Sequence, residues 1–339
     1  MVSTIRPALS FSYAIAGRVL SVEASDEWTA TLVSRFLRDF YLHPIPGNPK
    51  PNPTFAIRVF SRGLAPAIPE GLDTFEVAFG QCRTDGEKCY LTVEESLIVT
   101  GTGESSESLS VWIGETSHAR QPLSLANLMA YALDLSLRRS ELYQIHGAGL
   151  VTPGRKTGAL ILGASGSGKS TLTALLASRG WGYLTDDGLL LTDEGGLVNA
   201  RGIRRFFAAS ETTLASCSLQ NFTEALGAPM LSDPHKRRLE PSVAFPNQFI
   251  SSCIPQTLFF ASITGRDRSE VQRTTRTDTM SRLIRSNPWA SYDSLTARDH
   301  LRLLTRLTNQ CRAYSLRAGL DVLSDPSCAE ALLLPLMET

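Results

Sequence analysis

A run of eight residues, Gly163-Ala164-Ser165-Gly166-Ser167-Gly168-Lys169-Ser170, has the types and order needed to hold a polyphosphate. It matches G-x-x-x-x-G-K-[ST] at every fixed position. Glycines accept positive φ and carry no Cβ, so the backbone can wrap close to an anion. The N–H groups of the loop and of the helix it opens then face the phosphates. Lys169 neutralises charge on the β- and γ-phosphates, the Ser170 hydroxyl is a ligand for Mg²⁺, and Thr171 joins the loop as a phosphate-side residue. The loop specifies a nucleoside triphosphate such as ATP but not what is done with it, because kinases, ATPases, GTPases and transporters all use it.

Three further residues bear on the chemistry. Asp186 and Asp187 follow Lys169 by only 17 and 18 residues, at the end of the apolar stretch Trp181–Thr185. One carboxylate there can contact Mg²⁺ and its neighbour can take a proton from an attacking hydroxyl. His146 stands 17 residues before Gly163, in the apolar run Ile145–Val151, where a neighbouring strand would bring it near the loop. Positive charge for the phosphoryl oxygens can come from Arg201, Arg204 and Arg205 or from Lys236-Arg237-Arg238. Glu211 is a further candidate metal ligand.

Positioning these groups needs a strand–loop–helix unit. Gly158–Leu162 reads as the strand, and Lys169–Arg179 as the helix, with Leu172, Leu175 and Leu176 on one face. Gln144–Val151 reads as one short buried strand, followed by a turn over 153–156. After the strand that ends in Asp186-Asp187, Leu189–Leu191 continues as strand, and Asp193–Gly196 signals a hairpin turn. Helices are expected near Ser124–Leu142, Thr279–Ser286, Ala297–Cys311 and Ser327–Leu334, with a strand at Ala313–Arg317. Upstream, Phe55–Phe60, Cys89–Val93, Ser96–Thr100 and Ser108–Ile113 read as strands, Trp28–Phe40 as a helix, and the proline-dense segment 44–53 as a loop.

The combination Ile145-His146-Gly147, Gly163–Ser170 and Gly182-Tyr183-Leu184-Thr185-Asp186-Asp187 resembles HPr kinase/phosphorylase and its relatives, over about residues 140–320. The resemblance implies an α/β P-loop kinase core of the HPr kinase / phosphoenolpyruvate carboxykinase type. It implies catalytic roles for His146, Lys169, Asp186 and Asp187, with Asp187 as the base and Asp186 with Ser170 on the Mg²⁺ side. Those kinases carry Glu-Ile-Arg-Gly after the aspartate pair, whereas this chain has Asn199-Ala200-Arg201-Gly202. The chain looks more like the related serine kinases found beside peptide natural-product pathways, lasso-peptide kinases among them.

Composition is compatible with that expectation. Of 339 residues, 42% are hydrophobic and 19% charged, enough for an ordinary globular core. Lys+Arg and Asp+Glu both number 33, which argues against a nucleic-acid partner. No apolar run reaches the ~20 residues of a membrane helix. The six cysteines show no C-x-x-C pair, which suits reduced thiols in the cytoplasm. The expected organisation is a strand-rich α+β domain over 1–120, serving acceptor recognition, and a catalytic domain over 121–339. The expected activity is ATP-dependent transfer to a serine-like hydroxyl of a peptide, protein or small molecule. A nucleotide-binding regulatory protein without transfer, and a phosphorolase or phosphatase on the same site, are alternatives. Whether the chain forms a homo-oligomer stays open.

Overall fold

Short β-branched segments separated by tight turns dominate the first part of the chain, and they form one mixed sheet. The computed structural model describes residues 9–46, 53–61, 65–102, 108–115, 121–154, 157–220, 222–287 and 293–338. Most of the proline-dense segment, 47–52, and residues 155–156 of the turn before Gly158 lie outside them. The chain is a mixed α/β protein that divides into two units, Met1–Tyr143 with Trp289–Arg298, and Gln144–Pro288 with Asp299–Thr339.

In the first unit the strands are β1 (Leu9–Ile15), β2 (Arg18–Ala24), β3 (His43–Pro44), β4 (Phe55–Phe60), β5 (Asp73–Val77), β6 (Gly80–Thr84), β7 (Cys89–Val93), β8 (Ser96–Thr100) and β9 (Leu109–Trp112). Their order across the sheet is β3-β1-β2-β4-β9-β8-β7-β6-β5. The turn joining β1 to β2 places Ala16 at φ 46° and Gly17 at φ 77°. Helix α1 (Glu27–Leu37) starts at Asp26, whose side chain accepts from Thr29 N while the Thr29 hydroxyl binds back to the Asp26 backbone. Helix α2 (Pro122–Arg139) opens on a proline and buries Leu125, Leu128, Met129, Ala132 and Leu135. That face packs on β4, β7, β8 and β9. The compact division therefore falls after Tyr143 and not after residue 120.

From Tyr143 onward the strands are β10 (Tyr143–Ile145), β11 (Gly147–Val151), β12 (Gly158–Leu162), β13 (Gly182–Thr185), β14 (Leu189–Glu194), β15 (Leu197–Gly202), β16 (Phe207–Ser210), β17 (Leu226–Pro229), β18 (Lys236–Leu239), β19 (Ser252–Cys253), β20 (Pro255–Ile263), β21 (Glu270–Arg273) and β22 (Arg312–Ala318). The helices continue as α3 (Lys169–Ser178), α4 (Glu211–Ser216), α5 (Pro241–Ala244), α6 (Arg276–Ser286), α7 (Ser294–Gln310), α8 (Leu320–Ser324) and α9 (Pro326–Glu338). The central sheet has the order β13-β11-β12-β20-β22-β21, with β12, β20 and β22 parallel. Strand β11 is antiparallel to both β12 and β13, so β12 and β13 run the same way, one strand apart. Helix α3 lies on β11 and β13 and meets α8 and α9. Leu172, Leu176, Trp181, Tyr183, Phe207, Phe259 and Leu333 join in that core, where each fully buried large side chain contributes about 1.5–3 kcal/mol.

One expectation about the chain path is corrected. Gln144–Val151 is not one strand: β10 belongs to a sheet ordered β10-β14-β15-β19, β11 belongs to the central sheet, and His146 sits at the break. Both edges of β11 are occupied by β12 and β13, so the residues before Gly147 must leave the sheet to find another partner. Leu189–Leu191 is strand as expected, the start of β14. The chain turns at Gly188 (φ 90°) and β14 enters the other sheet.

Candidate functional site

Strand β12 ends at Leu162 and delivers the glycine-rich loop. Gly163 has φ 152°, and a Cβ there would lie 2.5 Å from the Ala261 carbonyl oxygen on β20 and 2.6 Å from Ser167 Oγ. Only glycine passes between that neighbouring strand and the loop. Gly168, at φ 91°, caps α3 and supplies no side-chain bond, so the first-turn N–H groups stay available to an anion. Lys169 is buried, and its Nζ donates to the carbonyls of Gly163 and Ala164, both at 2.9 Å. Burial pushes its pKa down, against the pull of Asp187 and Asp186.

Strand β13 delivers the two aspartates. Asp186 is fully buried; its Oδ2 accepts from Ala208 N at 2.9 Å, and its Oδ1 has no hydrogen-bond partner. Burial first, then the charge of Asp187, push its pKa from 3.8 up to about 6. The Ser170 hydroxyl favours the charged form, as do Ala208 N and Arg204, but they do not outweigh burial. Asp187 behaves in the opposite way. Burial would raise it, but His146 Nδ1 at 2.5 Å from Oδ1 and Arg204 Nη1 at 2.6 Å from Oδ2 hold the carboxyl well below the usual carboxylate range.

These groups share a cavity of about 420 Å³. Its wall is formed by 165–171, His146, Asp186, Asp187 and Arg204, and by Met230, Ser232, Asp233 and Lys236 of the β17–β18 hairpin. Nearby hydroxyls are tied together, Thr171 to Thr213 at 2.8 Å and Thr213 to Ser210 at 3.0 Å. The loop, the aspartate pair and His146 are thus brought to one place. Gly163 and Ala164 stand behind the wall, offering their carbonyls to Lys169.

The basic candidates separate. Arg204 and Lys236 line the cavity. Arg201 pairs with Glu194 at 3.1 Å, Arg237 donates to Gly227 O, and Arg238 lies 3.9 Å over the Phe206 ring. Arg205 and the exposed Glu211 lie outside the lining. Sequence reasoning did not find Ser210, Thr213, Met230, Ser232, Asp233 or Ile263. Only the Asp233-Pro234 pair carried a local signal, that of a turn.

The Ser170 hydroxyl and the free Oδ1 of Asp186 are hard oxygen donors on the cavity wall, of the kind that Mg²⁺ takes. Among the described residues no group of three or more His, Cys, Asp or Glu forms a metal cluster of its own. All six cysteines are free. No described helix is long and apolar enough to cross a membrane. In comparisons with known proteins, no family model matches the chain and no curated protein matches its sequence.

Proposed function

We propose that this cavity binds ATP with Mg²⁺ and transfers the γ-phosphoryl group to a serine-like hydroxyl of a peptide, protein or small molecule. The chain would then be a P-loop kinase akin to the HPr-kinase-related serine kinases. One observation carries the reading: beside a complete phosphate loop, two adjacent aspartates are held in different states. Asp186 keeps a buried oxygen free next to Ser170, while Asp187 is fixed as an anion by His146 and Arg204.

Each residue has a task in that reading. The loop N–H groups and Lys169 grip the triphosphate. When Lys169 exchanges two carbonyl partners for phosphate oxygens, it replaces neutral acceptors with charged ones, which bind it more strongly. Ser170 and Asp186 would hold Mg²⁺, which neutralises charge on the phosphates. Arg204 adds positive charge at the same wall. The acceptor's proton goes to the Asp187–His146 pair. Asp187, bound on both oxygens, is by itself a weak base. It orients the ring by accepting from Nδ1, which leaves Nε2 as the proton-accepting nitrogen.

The test is incubation with Mg²⁺ and γ-labelled ATP over a panel of hydroxy-amino acids and serine-containing peptides. Transfer to an acceptor by the wild type, lost in Lys169→Ala, is the expected result. Tight nucleotide binding with neither transfer nor release of ADP would instead favour the regulatory reading.

A further inference from the structure

The β17–β18 hairpin brings a serine into the phosphate cavity, and that serine has no other evident employment. The tip of the hairpin is a closed turn. Met230 N donates to Lys236 O at 2.8 Å, Lys236 N to Asp233 O at 3.0 Å, and His235 N to Asp233 Oδ1 at 3.1 Å. Lys236 and Asp233 add an ion pair at 3.4 Å across the same turn. The tip therefore holds its shape while presenting Met230, Ser232, Asp233 and Lys236 to the cavity.

Ser232 is distinguished by elimination among the cavity hydroxyls. Ser165, Ser167 and Ser170 belong to the phosphate loop. Thr171, Thr213 and Ser210 are bonded to one another. Ser232 is exposed and carries no hydrogen bond among the described residues. It shares the wall with Lys169, Asp187 and His146, and Lys236 on the same turn offers a cation to a phosphorylated neighbour.

We propose that Ser232 is a self-phosphorylation site, the chain's own built-in acceptor. The proposal rests on the kinase reading above. Ser232 Oγ attacks the γ-phosphorus, an O–P bond forms, and the bond from that phosphorus to the β,γ-bridging oxygen breaks. The electron pair leaves with the nucleoside diphosphate, and the serine proton passes to the Asp187–His146 pair. The phosphoserine then adds negative charge at the cavity mouth beside Lys236 and next to Asp233. It would occupy the place of an outside acceptor and repel an acidic one.

The experiment uses the full chain with Mg²⁺ and γ-labelled ATP, without added acceptor, followed by peptide mapping of the label. Label is expected on Ser232, at a rate per molecule independent of protein concentration, and lost in Lys169→Ala. Ser232→Thr should carry the label as phosphothreonine at the same position, and Ser232→Ala should lose it from that peptide. Label only at other residues, or label on Ser232 that persists in Lys169→Ala, overturns the proposal. A rate that climbs with protein concentration overturns transfer within one chain. ADP release without label on Ser232 overturns this proposal alone, whereas absence of both ADP release and transfer to any acceptor removes the kinase reading with it.

Discussion

Asp186 and Asp187 are chemically identical neighbours that the fold pulls toward opposite protonation states. For Asp186 the folded pKa, about 6, lies above the ordinary 3.8, so the folded state holds its proton over a range where the unfolded chain has lost it. In metal-free protein this group's contribution to stability therefore falls as pH rises from about 4 to 6 and stays unfavourable at neutral pH. Asp186→Asn keeps the shape and removes the buried charge. It should stabilise the metal-free protein at pH 7 by on the order of 3 kcal/mol, the shift converted at about 1.36 kcal/mol per unit, while weakening Mg²⁺-dependent nucleotide binding. Urea unfolding at acid and neutral pH checks this; a variant no more stable than wild type at neutral pH would refute it. Asp187 has the opposite sign. Its depressed pKa stabilises the fold above the ordinary carboxylate pKa, and this is lost as pH falls through the folded value. Asp187→Asn should lower the transfer rate by roughly 10²–10⁴-fold with little change in nucleotide affinity, as read by single-turnover kinetics. A rate within about threefold of wild type would show that no general base of that size is present.

At the scale of elements, the glycine-rich loop 163–168 uses its glycines for two distinct reasons, and substitution separates them. Gly166 has φ 79° with open space for 4 Å around where a Cβ would lie, so alanine there meets backbone strain alone. Gly163 has both a positive φ and a carbonyl oxygen 2.5 Å from that Cβ. Gly166→Ala should cost about 1–2 kcal/mol and Gly163→Ala distinctly more, measured by thermal unfolding; equal costs would contradict the geometry. Much of this unit was legible in the sequence because it is local: an apolar strand, glycines at fixed spacing, and a helix with one apolar face. The break at His146 was not, since it follows from which neighbours occupy the edges of β11. The partnership of Arg204 with Asp187 across 17 residues, and the arrival of the β17–β18 tip at the cavity, are equally non-local. In the first unit the β1–β2 hairpin escaped notice because its turn is Ala16-Gly17, without the Asn-Gly or Asp-Gly that usually marks such a turn. Helix α2 was seen but grouped with the wrong part of the chain, because periodicity gives the apolar face and not the sheet it covers.

Over the whole molecule, a ligand that binds only the folded state stabilises it by mass action. Mg-ATP at about a hundredfold its Kd should add about 2.7 kcal/mol to the unfolding free energy of the second unit. Hydrogen exchange should slow at the loop 163–171 and around Asp186–Asp187, leave the sheet β1–β9 unchanged, and show no such protection in Lys169→Ala. Protection spread evenly through both units would contradict a nucleotide site confined to the second.

The first unit is not a continuous stretch of chain: it includes Trp289–Arg298, supplied from far downstream. In that piece Asp293 faces Arg139 of α2 at 3.7 Å with both side chains almost sealed from solvent, and the Ser294 hydroxyl donates to Gly86 O. Scissors applied anywhere near Gln144 would orphan a guanidinium on one side and strand a carboxylate on the other, and an unpaired buried charge is among the most damaging defects a fold can carry. The two units are therefore poor candidates for separate expression or for shuffling between genes. The chain passes between the units three times, after residues 143, 288 and 298, so no single cut and no end-to-end fusion keeps both units whole.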